Sequence, residues 1–157
     1  MVYWHYVYRA RHGAPPVIWN DTLATYAASY SSYCETVHSG SEFYGENLAY
    51  GRYTNPSYYV YLWYDEVDSY NYGDPGFSET TGHFTRVVWK DSIQIGCGWV
   101  TNTCQNIIAS WAPNYWTCEY YPYGNVDGEF ATEVLPLITS DPIPVPGMSP
   151  SPSSEKF

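Results

Sequence analysis

Few side chains in this chain are able to do acid–base, ligation or redox chemistry. Four histidines and four cysteines stand among 157 residues that also hold 16 acidic side chains. There is no His-Glu-x-x-His signature, no Gly-x-Ser-x-Gly elbow and no Ser-His-Asp phrase. Cys34, Cys97, Cys104 and Cys118 form no Cys-x-x-Cys pair, which argues against a zinc ribbon or a thioredoxin-like site. Their even number fits two disulfides, for which three pairings exist. His5 and His12 lie seven apart and share one helix face, where a packed or solvated role fits better than ligation. Asn20-Asp21-Thr22 is an acceptor sequon for N-glycosylation at Asn20, whereas Pro56 disqualifies Asn55.

Composition narrows what such groups serve. Hydrophobic residues make up 45% and charged residues 14%, enough to bury a core and to exclude global disorder. Aromatics reach 20%, with 19 Tyr and 7 Trp, side chains that join apolar area to a polar tip. Six basic against 16 acidic residues leave a formal charge of −10. A nucleic-acid partner, which needs a basic stripe, is excluded, and so is adsorption to anionic membranes by charge alone. No run of about 18 apolar residues is present, so no transmembrane segment is expected. Met1-Val2-Tyr3 shows no basic start and no small-residue cleavage site, which suits a mature secreted form or a cytosolic chain. The cysteine count and the sequon favour secretion.

The elements that must position these groups follow from patterning. Val2 to His12 lacks breakers and runs into Gly13 and Pro15-Pro16, a helix and its stop. Asn20 or Asp21 caps a second helix through about Cys34, with Leu23, Tyr26, Ala27, Tyr30 and Tyr33 at spacings of three and four. Gly40, Gly45 and Gly51 mark 35–53 as loop with short ordered pieces. Asn55-Pro56 starts a third helix to about Ser69, and 71–79 reads as loop. Segments 87–89, 95–100, 107–111 and 116–121 are rich in β-branched and aromatic residues and supply strands, antiparallel given their short connections. Trp19, Trp89, Trp99, Trp111 and Trp116 read as core or sheet-face residues. The domain spans 1–138, and 139–157, rich in Pro and Ser, reads as a disordered extended tail. Helices first and strands later make an α+β domain.

Several phrases, in this order, carry a resemblance. They are Arg9-x-x-His12-Gly13-Ala14-Pro15-Pro16, His38-Ser39-Gly40, Gly45-Glu46-Asn47-Leu48-Ala49 and Trp63-Tyr64-Asp65-Glu66. Gly82-His83-Phe84-Thr85, Ile95-Gly96-Cys97-Gly98, Cys118-Glu119-Tyr120 and Gly124-Asn125-Val126 follow. The series resembles the CAP superfamily of cysteine-rich secretory proteins, antigen 5 and pathogenesis-related protein 1, over residues 3 to 134. Asp74 to Glu79 before Gly82-His83 looks most like its fungal, sterol-exporting branch. The resemblance implies a three-layer α-β-α sandwich with a central antiparallel sheet, secretion, and disulfides Cys34–Cys104 and Cys97–Cys118. It also implies a cleft tetrad at His38, Glu46, Glu66 and His83. Three departures stand out: His5-Tyr6 replaces the usual His-Asn, Arg86 replaces the usual Gln, and the extra plant disulfide is absent.

Two imidazoles and two carboxylates can converge on a divalent metal, Zn or Mg, or hydrogen-bond one another and hold the loops together. With no third His or Cys ligand the tetrad makes at most an open, weak metal site, and hydrolysis at metal-bound water is the less favoured reading. The resemblance also implies a sterol-binding loop, for which the Tyr70-x-Tyr72-x4-Phe77 spacing matches, and a fatty-acid groove between helices, placed at 21–34 and 56–68. The expectation is therefore a lipid-binding protein for sterols and related hydrophobic ligands, with no required cofactor. A metal-dependent hydrolase and an extracellular interaction protein are the alternatives.

Overall fold

The computed structural model describes residues 1–101, 104 and 114–147. The chain runs α1 (Val2–Ala10), β1 (Ile18–Trp19), α2 (Asp21–Tyr33), β2 (Gly45–Gly51) and α3 (Pro56–Asp65). A 3-10 turn (Glu66–Ser69), α4 (Gly82–Val88), β3 (Gln94–Thr101), β4 (Asn114–Tyr121) and α5 (Phe130–Glu133) complete it. The helices start where the sequence places them. The Asn20 side chain accepts from the Thr22 and Leu23 amides at α2, and Asn55 accepts from the Ser57 amide at α3. Both fill donors that a first turn leaves open.

The sheet order is β1-β3-β4-β2. The long pairings β3–β4 and β2–β4 are antiparallel, as expected. The two-residue edge β1 pairs with β3 in parallel, so the sheet is mixed rather than wholly antiparallel. One face is covered by α2. Gly96 and Gly98 admit it, because a Cβ at either position would lie 2.1–2.2 Å from the Ala24 or Ala28 amide nitrogen. The Ser31 hydroxyl donates to Thr117 on the same face. On the other face Ile95, Trp116, Cys118 and Tyr120 join Tyr59, Trp63, Tyr64, Phe84 and Val87 in one core. This is the three-layer sandwich. It also separates α2 from α3 by the sheet, so the expected groove between 21–34 and 56–68 does not exist.

Two further expectations change. Val87 and Val88 lie in α4 rather than a strand, since Phe84, Val87 and Val88 at helical spacing bury one stripe in the core. Burial outweighs the β preference of valine. Residues 45–51 form strand β2, not loop, with Gly45 and Gly51 at its ends. The strand expected at 107–111, Trp111 included, lies outside the described residues. Trp89 and Trp116 are buried, while Trp19 and Trp99 are exposed, Trp99 stacking on Trp116.

Arg9 fastens the layers. Fully buried, it donates Nε to the Pro15 carbonyl, Nη1 to Val87 and Trp89, and Nη2 to Lys90 and Ser92. All five donors are used, so α1 is tied to the turn between α4 and β3. Disulfides join Cys34 to Cys104 and Cys97 to Cys118, the latter directly opposite each other on β3 and β4. Of the segment read from the sequence as tail, Asp141, Pro142 and Pro144 accept hydrogen bonds from Arg11 and Tyr8, and residues 148–157 lie outside the described residues.

Candidate functional site

Edge strand β2 brings the two halves of the tetrad to one cleft. Glu46 stands on β2 and accepts from His38 Nδ1 at 2.7 Å and from the Ser39 amide at 3.0 Å. Glu66, at the end of α3, accepts from His83 Nδ1 at 2.7 Å. Its second oxygen accepts from the amides of His83 and Phe84 in the first turn of α4, at 3.0 Å each. Glu66 thus both aims the imidazole and satisfies helix donors. His38, Glu46 and His83 line a cleft of about 520 Å³ together with Tyr44, Phe77 and Arg86, while Glu66 stands behind His83. The four residues form two hydrogen-bonded pairs, each with an Nε2 that has no hydrogen-bond partner among the described residues.

A residue that the tetrad pattern does not include lies beneath Glu46. Glu119 faces it across β2 and β4 and is fully buried. Burial, then the Glu46 charge and a hydrogen bond to Glu46, push the Glu119 carboxyl up to about 9 against the weaker pull of Arg86. Burial also raises Glu46, but hydrogen bonds from His38, Glu119 and Ser39 outweigh it and hold this carboxyl below its ordinary value. At neutral pH the pair therefore keeps one proton, on Glu119. The available signal was Cys118-Glu119-Tyr120, an acid between two core-facing residues of a strand.

Arg86 closes the floor. Its Nε and Nη1 are buried with no acceptor among the described residues. Burial pulls it down to about 10, which leaves it charged at neutral pH. Gly45 makes room for it, since a Cβ there would lie 2.3 Å from Nη1 and 2.0 Å from the Tyr123 carbonyl. The Nδ1–carboxylate pairs orient both Nε2 atoms, the arrangement in which an imidazole can ligate a metal, but they supply only two such atoms. Both Nδ1 atoms and three tetrad carboxylate oxygens are engaged within the protein, and a guanidinium stands beside them. Among the described residues no group of three or more His, Cys, Asp or Glu is arranged to hold a metal ion.

The aromatic set is split. Phe77 is 57% exposed on the cleft wall, its ring beside Gly82. Tyr72 is half-buried, edge-on to Tyr70. Tyr70 is only 8% exposed and packs on Phe84, so the ligand contact expected of it is not available. Asn20, the expected glycosylation site, donates its amide to Gln94 Oε1 while its oxygen caps α2. A glycan there would displace Gln94. His5 and His12 are buried and bonded to the Tyr120 and Tyr64 hydroxyls. Burial depresses them to about 3 and about 4, so both are neutral packing residues.

Comparison with known proteins now adds to this geometry. A family profile described as "CAP: Cysteine-rich secretory protein family" matches residues 3–120. The chain is 46% identical over 142 residues to Protein PRY2 of Saccharomyces cerevisiae, covering 87% of this chain and 40% of that protein. It is 40% identical over 128 residues to Secreted protein RBT4 of Candida albicans, covering 76% and 33%. Against the human Golgi-associated plant pathogenesis-related protein 1 it is 34% identical over 142 residues, covering 84% and 88%. The chain thus spans less than half the length of those two fungal relatives. Among solved structures, Hookworm Platelet Inhibitor matches with a TM-score of 0.66 at 19% identity, covering 84% of this chain and 72% of that one. NaASP2 with Zn2+ matches at 0.64 and 18%, covering 84% and 82%. At these identities the likeness is one of fold.

Proposed function

The chain belongs to the cysteine-rich secretory protein (CAP) family, and from that premise we propose that it is a secreted protein that binds and carries sterols and related small hydrophobic ligands. The observation that carries this reading is Phe77, a large apolar ring left 57% exposed on the wall of the cleft. A ligand that covers this ring gains about 0.8 kcal/mol per CH₂ it buries. The cleft volume lies in the range of small-molecule sites. Tyr72 and Tyr70 support the loop from beneath rather than touch the ligand. Secretion is supported by the two disulfides, which persist in oxidising compartments, and by a relative named Secreted protein RBT4. Titration with a fluorescent sterol, with Phe77→Ala alongside, tests the reading. Saturable binding that the variant weakens is expected, and absence of saturable binding up to the solubility limit removes it.

The two carboxylate–imidazole pairs favour a second reading, general-base hydrolysis at His38 or His83, since an Nδ1-bonded carboxylate leaves Nε2 able to take a proton. Ester turnover lost in Glu66→Gln would support it. Turnover indifferent to that change and to His38→Ala would dismiss it.

A further inference from the structure

The segment 141–146 reads Asp-Pro-Ile-Pro-Val-Pro. Each proline fixes its own φ near about −65°, and each residue before a proline is kept out of the helical region. Six consecutive residues are thus biased covalently toward an extended polyproline II path, whose carbonyls have no partner within the segment. In the structure three of those carbonyls are taken by Tyr8 of α1 and by Arg11, which caps it. Arg11 donates Nη2 to the Asp141 carbonyl at 2.6 Å and Nη1 to the Pro142 carbonyl at 3.1 Å. Tyr8, one turn earlier on the same helix face, donates its hydroxyl to the Pro144 carbonyl at 2.8 Å. Ile143 packs against the core and Pro146 is buried.

The receiving surface is fixed from behind. The Tyr64 ring stacks on Tyr8 with centroids 4.2 Å apart, and the Tyr64 hydroxyl accepts from Arg11 Nε and faces His12 Nε2. Trp4 adds a ring 5.6 Å from Tyr8. Proline-rich segments are recognised by aromatic-lined grooves that exploit their preformed extended path. None of these contacts uses a side chain particular to this segment beyond its prolines and one aliphatic residue. The segment forms no strand pairing.

From this arrangement we propose that the surface formed by Tyr8 on α1, Arg11 just beyond it and the Tyr64 ring on α3 is a recognition site for an alternating-proline peptide of another protein, occupied in cis by residues 141–146. The tethered segment competes at a high effective concentration, so an outside peptide binds only as the strap leaves.

The test uses the full chain with the strap weakened by Pro142→Ser, Pro144→Ser and Pro146→Ser together. The probe is a synthetic peptide copying residues 140–147, titrated calorimetrically. The triple variant should bind it at least about ten-fold more tightly than the unchanged chain does. A peptide with the three prolines replaced by serine should not bind. Adding Tyr8→Phe to the triple variant should weaken the peptide about five-fold, the loss of one hydrogen bond. The proposal is overturned if the variant keeps its circular dichroism and melting profile yet ignores the peptide. It is equally overturned if both peptides bind alike, or if the variant pairs with a second copy and ignores the peptide. If the triple variant does not fold, Ile143→Ser in the full chain undergoes the same titration with the same expected and overturning results.

Discussion

Replacing Glu119 by Gln changes how stability depends on pH. Glu119 is fully buried opposite Glu46, and its carboxyl is raised from 4.5 to about 9, first by burial and then by the Glu46 charge. An acid with a folded pKa above its unfolded value keeps its proton on folding. Between those values the native state binds one proton more than the unfolded chain, so stability falls as pH rises through the window. By linkage this amounts to roughly 3 kcal/mol from pH 6 to pH 8. Glu46, held below its ordinary value, is ionised in both states over that range and adds no slope. His5 and His12, buried and neutral, act equally on both proteins. Gln keeps the shape and presents an amide N–H beside Glu46 without a proton to lose. Urea and thermal denaturation at pH 6, 7 and 8 should show the unchanged chain losing roughly 3 kcal/mol relative to Glu119→Gln. For a chain of this size that is about 5–10 °C in midpoint. Parallel pH profiles for the two proteins would refute the buried proton.

Arg9→Ala leaves four buried carbonyls and Pro15 without their donor, and should cost about 3–5 kcal/mol in chemical denaturation. A loss under 1 kcal/mol would contradict the pinning role. The disulfides should differ in weight. Loop-closure entropy gives about 4 kcal/mol for Cys34–Cys104, separated by 70 residues, and about 3 kcal/mol for Cys97–Cys118, separated by 21. Paired Cys→Ala variants measure the two terms, and mass spectrometry of non-reduced peptides checks the pairing.

Much of the fold was legible because local signals agreed with tertiary demand. Asn20 and Asn55 cap the helices they announce, and the segments around Ile95 and Trp116 alternate as paired strands. What the residues alone concealed was decided across the chain. Gly45 and Gly51 look like loop punctuation, yet their missing side chains admit Arg86 and Tyr59 beside an ordered strand. Val87 and Val88 carry a strand preference that the core overrides within α4. Sequence order could not reveal that the sheet separates α2 from α3. At the site, His38, Glu46, Glu66 and His83 came from motif resemblance, and the structure pairs them two by two. Tyr70 and Phe77 share a motif but not an environment, because spacing along a loop does not say which ring turns inward. Glu119 carries a local strand signal, but its pairing with Glu46 depends on the β2–β4 register, which the sequence does not show.

The central claim is that the exposed ring of Phe77 makes the cleft wall a hydrophobic ligand site. The most direct measurement is equilibrium binding of a fluorescent sterol to the disulfide-paired protein and to its Phe77→Ala variant, both checked for equal melting temperature. The account predicts saturable binding by the first and at least about ten-fold weaker binding by the second, as loss of a large apolar contact surface requires. Equal affinity in both proteins, or no saturable binding by either, would contradict it.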